Sequence, residues 1–204
     1  AELHAASAPH RADGQVLYSG ACRNLTPEEV RQRSRTRHPA LRLRTPDAEI
    51  AFTDGHLGEY RENLARACGD FLLRRSDGLW AYQLAVVVDD GAMGVTQVVR
   101  GSDLLSSTPR QLYLYELLGL TPPEFYHVPL LLAADGRRLS KRDGDLSLDA
   151  LLSRMTAEEL VGRLALLAGL NPGGGPRTPE SLLPDFDWEK VPRRDITVPE
   201  QLFS

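Results

Sequence analysis

The chain has 204 residues, of which 42% are hydrophobic and 25% charged, a composition that suits one large domain or two small ones with a real core. No apolar run approaches the roughly 18 residues that suggest a membrane span, so no membrane partner is expected. The net charge of −4 argues against a uniformly basic nucleic-acid binder and turns attention to local patches.

The first 25 residues carry turn formers and little periodicity, and "AELHAASAPH" lacks the apolar core of a secretory leader. Two cysteines, Cys22 and Cys68, make no disulfide framework, and a reduced, cytoplasmic protein is expected. Cys22 taken alone reads as a buried structural residue, and Cys68 in "NLARACGDF" reads as core. "LTPEEV" (25–30) offers a helix start, with Thr26 as N-cap, Pro27 at the first position and Glu29 closing a capping box. The basic patch "RQRSRTRHPALRLR" (31–44) follows; it is either a solvated face or a nucleic-acid-binding one. Within it, "ALRLR" (40–44) alternates and predicts a strand.

"FTDGHLG" is turn-rich, and 71–83 reads as a hairpin around Asp77 and Gly78. The continuous apolar run in "YQLAVVVDD" (82–90) suits a strand buried on both faces. "GVTQVVRG" (94–101) predicts a second strand or the end of a crossover. "SSTPRQLYLYELLGL" (106–120) predicts a helix capped by Thr108, Pro109 and Gln111, with Leu112, Tyr115 and Leu118 facing the core and Gly119 as the stop. "HVPLLLAADG" (127–136) predicts another strand, completing a strand–helix–strand pattern of the parallel-sheet kind. A third capping box, Thr156 to Glu159, opens a helix with Leu160, Leu164 and Leu167 on one face. "NPGGGPRTP" (171–179) reads as a flexible break before a proline-punctuated tail.

"GRRLSKRDGD" (136–145) gathers Arg137, Arg138, Lys141 and Arg142 around Ser140. A basic loop at the end of a buried strand lies where open α/β sheets bind ligands, and phosphate groups would offset the mutual repulsion. A solvated hairpin tip is the plain alternative.

"RLSKR" (138–142) resembles the "KMSKS" loop of class I aminoacyl-tRNA synthetases, and its surroundings sharpen the match. "YQLAVVVDD", "VVRGSDLLSSTPRQLYLYELLG" and "HVPLLLAADGRRLSKRDG" follow in an order and spacing similar to the glutamyl branch. That branch comprises glutamyl-tRNA synthetases and the shorter glutamyl-queuosine tRNA(Asp) synthetases. "LYSGACR" (17–23) and "WEKVPRRDI" (188–196) resemble segments of the shorter kind, and with about 60 residues after the basic loop no anticodon-binding domain is expected within residues 1–204.

The resemblance implies a partial Rossmann-like nucleotide-binding fold of α/β class, with an inserted α+β region and a C-terminal helical segment. It implies three parts: a zinc-site remnant with an acceptor-type region (1–70), the second half of the catalytic domain (71–148) and a helical segment (149–204). By the same resemblance Lys141 is catalytic, Arg138, Leu139, Ser140, Lys141 and Arg142 bind ATP, and Tyr82 and Arg100 bind glutamate. An arginine and a tyrosine suit that task, because a guanidinium pairs bidentately with a carboxylate and a phenol adds a directional hydrogen bond. Tyr82 as a core tyrosine and Arg100 as a surface charge are the plain readings. Asp89 and Asp90 either touch ribose or RNA or cap a turn.

Tyr18 and Cys22 match two zinc ligands, and two further cysteines are expected upstream of Ala1; His4 and His10 are poor substitutes. The implied partners are L-glutamate, ATP with Mg2+, and the anticodon region of tRNA(Asp), acting on a monomer. The histidine-bearing "HIGH"-like motif of class I synthetases does not occur in residues 1–204, so a C-terminal portion, inactive alone, is expected. A glutamyl-tRNA synthetase fragment and a non-catalytic RNA-binding paralogue are the alternatives.

Overall fold

The computed structural model describes residues 18, 20–139, 147–199 and 201–203. The chain divides into two compact units, one comprising 1–98 and 104–125, the other 99–103 and 126–204.

In the first unit, α1 (Pro27–Ser34) begins with the expected capping box, Thr26 and Glu29 each satisfying the other's backbone N–H. The strand expected at 40–44 forms as β1 (Leu41–Leu43), antiparallel to β4 (Phe71–Arg74). Between them, β2 (Glu49–Asp54) and β3 (Gly58–Asn63) make an antiparallel hairpin. Asp54 Oδ1 accepts the N–H groups of His56 and Leu57 at 3.1 and 2.8 Å and so shapes its turn. The short helix α2 (Leu64–Ala67) is capped by Asn63. The turn at Asp77 and Gly78 also forms, with Arg74 bridged to Trp80, but the returning arm is brief because Tyr82 already begins a helix.

That helix corrects the reading of 82–90 as a doubly buried strand. α3 (Tyr82–Met93) runs twelve residues and stops at Gly94, whose φ of 68° closes it with a left-handed cap. A short apolar run fits a buried helix as well as a strand, and length decides. Val87 is fully buried, Leu84 packs on the core, and Gly91 lies one turn on, where a Cβ would come 2.9 Å from Leu120 Cδ1.

The strand–helix–strand unit is therefore β5 (Gln97–Gly101), α4 (Thr108–Leu118) and β6 (Glu124–Val128), with β5 and β6 in one two-stranded sheet. The expected Thr108 cap does not form. Thr108 is the first helical residue, after a 3-10 stretch (Ser102–Ser107) whose own carbonyls lead into the helix. Gln111 donates instead to Gln83 Oε1, at 2.8 Å. Gly119 is the stop, as expected. Leu114 and Tyr115 are buried with Arg110 and Gln111, whereas Leu118 is exposed, so the buried face is partly polar. Phe71, Val87, Leu114, Tyr115 and Phe125 form this unit's core.

In the second unit the apolar run 127–136 is divided: β6 ends at Val128 and β7 is only Leu131–Leu132. Pro129, without an N–H to donate, separates them. β7 pairs in parallel with β8 (Ile196–Thr197), bringing residues of the tail back onto it. α5 (Leu148–Leu152) and α6 (Ala157–Leu167), the latter with its capping box, pack Leu151, Met155 and Leu160 against Val198 and Phe203. Leu164 is exposed; the buried face of α6 uses Leu160, Gly162 and Ala165.

Residues 171–176 are not a loose break. Asn171 Nδ2 donates to the carbonyls of Gly162 and Gly175, at 3.3 and 2.8 Å, and Arg177 N–H to that of Glu158, at 2.9 Å. A short α7 (Pro179–Leu182) follows.

Candidate active site

Arg100 stands near the end of β5 and His127 near the end of β6, both in the second unit. Arg100 Nε donates to His127 Nε2 at 3.0 Å. His127 is fully buried and Arg100 half-buried. Gly101 follows because space demands it: a Cβ there would sit 2.6 Å from Asp103 Oδ1 and 3.0 Å from Leu130 Cδ2. Asp195 ties the tail to the same place, accepting from Ser102 Oγ at 3.2 Å and from the Leu130 N–H at 2.9 Å.

The base of the cationic segment is a hairpin. Ala133 N–H donates to Arg137 O and Leu139 N–H to Leu131 O, at 2.7 and 3.1 Å, and Gly136 turns with φ of 80°. Leu139 packs on the second unit's core. Two of its cations have carboxylate partners that sequence reading did not pair with them. Arg137 binds Asp135 at 2.6 Å, and Arg138 Nη1 donates to Asp103 Oδ2. Hydrogen bonds from Arg137 hold the Asp135 carboxyl below its ordinary range. Part of the repulsion within the cluster is thus offset inside the protein. The Asp135 and Arg137 spacing around a turn was readable; that of Asp103 and Arg138, 35 residues apart, was not. Ser140, Lys141 and Arg142 lie outside the described residues.

Tyr82, in the first unit, opens α3 and is half exposed, not a core residue. Its neighbour Gln83 is buried and bonded to Ser107 Oγ at 3.0 Å and to Gln111, which pins the start of α3 to the start of α4. This polar network was invisible in the sequence, because Gln83 and Gln111 lie 28 residues apart.

Tyr18 and Cys22 do come together: the Cys22 N–H donates to Tyr18 Oη at 2.8 Å. Arg42 lies over the Tyr18 ring at 4.2 Å. Partial burial raises the Tyr18 phenol's pKa. Cys22 is exposed, which corrects its reading as a buried structural residue, and Arg33 Nη1 lies 3.9 Å from its sulfur. Two donors do not fill a tetrahedral zinc shell, and no cluster of three or more His, Cys, Asp or Glu side chains suited to a metal occurs among the described residues. Cys68 is partly buried and packs against the first unit's core, and burial pushes its thiol up to about 11.

The model of the family described as tRNA synthetases class I (E and Q), catalytic domain, matches residues 4–174. The chain belongs to this family. It is 51% identical, over 98% of its own length and 62% of the relative's, to a glutamyl-Q tRNA(Asp) synthetase of Nitratidesulfovibrio vulgaris. A glutamyl-Q tRNA(Asp) synthetase of Symbiobacterium thermophilum is 49% identical over 98% of the chain and 62% of the relative. The chain thus spans about three fifths of these relatives. Among solved structures, a glutamate tRNA ligase of Elizabethkingia meningosepticum, in complex with its amino acid, superposes with a TM-score of 0.74 at 25% identity, covering 95% of this chain and 44% of that one. The mixed α/β architecture is that of a class I synthetase catalytic region, as the "RLSKR" resemblance implied. No helix among the described residues is long and apolar enough to cross a membrane.

Proposed function

We propose that the chain is the C-terminal part of a ligase that activates glutamate with ATP and transfers it to the queuosine base of tRNA(Asp). The supporting observation is the identity, 44% to 51% over nearly the whole chain, to relatives named glutamyl-Q tRNA(Asp) synthetase. Two glutamate tRNA ligase structures are 25% identical to the chain, so the alternative of tRNA(Glu) charging is not better supported.

In this reading Arg100 meets a carboxylate of glutamate and Tyr82 adds a hydroxyl contact. The segment 138–142 grips the ATP phosphates, with Lys141 following the charge that develops as pyrophosphate leaves. Arg138 then exchanges Asp103 for a phosphate oxygen. Mg2+ accompanies the nucleotide. Tyr18 and Cys22 would be two of the ligands of a structural zinc ion in this reading. The regions 1–70, 71–148 and 149–204 serve the acceptor side, the nucleotide and the helical support respectively, in a cytoplasmic monomer.

The test is ATP–pyrophosphate exchange by the full-length protein. Glutamate-dependent exchange without any RNA is expected. Strict dependence on tRNA would favour the glutamyl-tRNA synthetase reading instead.

A further inference from the structure

We propose that His127 is a positioning residue for glutamate binding, acting through Arg100. The inference rests on the reading of Arg100 given above and goes beyond it, because it concerns a side chain that touches no substrate.

Along β6 the buried positions are Phe125 and His127, so His127 occupies a place that an apolar residue would ordinarily fill. An imidazole there is costly unless its nitrogens are satisfied. Its Nε2 accepts the Arg100 Nε–H at 3.0 Å. To accept, the ring must be neutral with its proton on Nδ1; an imidazolium would aim an N–H at the guanidinium.

The consequence falls on Arg100. A guanidinium is planar, so fixing its Nε fixes the plane in which its remaining N–H groups lie. Arginine carries several rotatable bonds, and a loose one pays ordering entropy each time it clamps a carboxylate. An arginine already held by a buried neighbour has paid much of that beforehand. His127 should therefore act on glutamate affinity and leave ATP affinity alone. A histidine that merely fills the core would lower stability but would not act through Arg100.

The experiment is ATP–pyrophosphate exchange by the full-length enzyme, with glutamate and ATP titrated separately, for H127A, H127Q, R100A and the double variant. Glutamine keeps an acceptor oxygen on a chain of similar reach. H127A is expected to raise KM for glutamate roughly ten- to a hundredfold, the range for losing one charged hydrogen bond, with KM for ATP unchanged. H127Q should return close to the wild-type value, and the double variant should be no worse than R100A. Where H127A fails to fold, H127M, of similar length and without the acceptor geometry, takes its place. A glutamate KM unchanged by H127A, or a double variant showing the product of the two single effects, overturns the proposal while the role of Arg100 stands. An R100A enzyme with unaltered glutamate KM overturns the reading of Arg100 and this inference with it.

Discussion

Asp70 shows how much one side chain can organise. Its carboxylate accepts from Arg23 Nε and Nη2 at 2.8 and 2.5 Å and from the Thr45 N–H at 3.0 Å. Its carbonyl accepts from Arg42 Nη1 at 2.9 Å. Hydrogen bonds from Arg23 outweigh burial and hold the carboxyl below its ordinary range. A carboxyl depressed in the folded state binds its proton more readily when unfolded. Its stabilising effect is complete above the unfolded pKa near ~3.9 and fades as pH falls through the folded value. Asp70→Ala should lower stability at neutral pH by about 1–3 kcal/mol, because it also strands the Thr45 N–H. Urea melts should show that difference shrinking as the pH is lowered below about 4; a gap independent of pH would mean the ion pair contributes little. Arginines of the 31–44 patch thus have two fates: Arg42 is built into the fold, while Arg31, Arg35 and Arg37 stay on the surface. Residue type and spacing alone could not separate them.

At the level of elements, what was legible is what local chemistry dictates. The capping boxes at Thr26 and Thr156 form because Ser or Thr followed by Glu three residues on satisfies two backbone donors within one turn. The same pattern misled at Thr108, where a preceding 3-10 turn removes the need for a cap. The helix α3 was misread because its apolar run is short and its flanking Asp89–Asp90–Gly91 looks like a turn. The β2–β3 hairpin bends at the turn-rich "FTDGHLG", and its strand signal is the alternation of Ile50 and Phe52 before Asp54-Gly55. Gly162 tests the packing of α6. By propensity alone, alanine would stabilise the helix by about 1 kcal/mol. Its Cβ would, however, sit 2.1 Å from the Gly175 carbonyl oxygen. Gly162→Ala should therefore destabilise by about 1–3 kcal/mol in chemical denaturation, an overpacking cost; a stabilised variant would mean that 171–176 yields easily.

For the whole molecule, fold and family were legible because the quoted motifs keep their order and spacing over 71–145, and the family match over residues 4–174 agrees. The partners of the site residues were not legible. His127 and Asp103 contact Arg100 and Arg138 across 27 and 35 residues of chain, distances over which no local pattern reports. In the proposed reaction glutamate goes to a modified base of tRNA(Asp). The most direct measurement supplies the full-length enzyme with ATP, labelled glutamate and either queuosine-containing tRNA(Asp) or tRNA(Glu), then maps the label by ribonuclease digestion. Label confined to the anticodon fragment of tRNA(Asp) is the predicted result. Label at the 3′ end of tRNA(Glu) would contradict it.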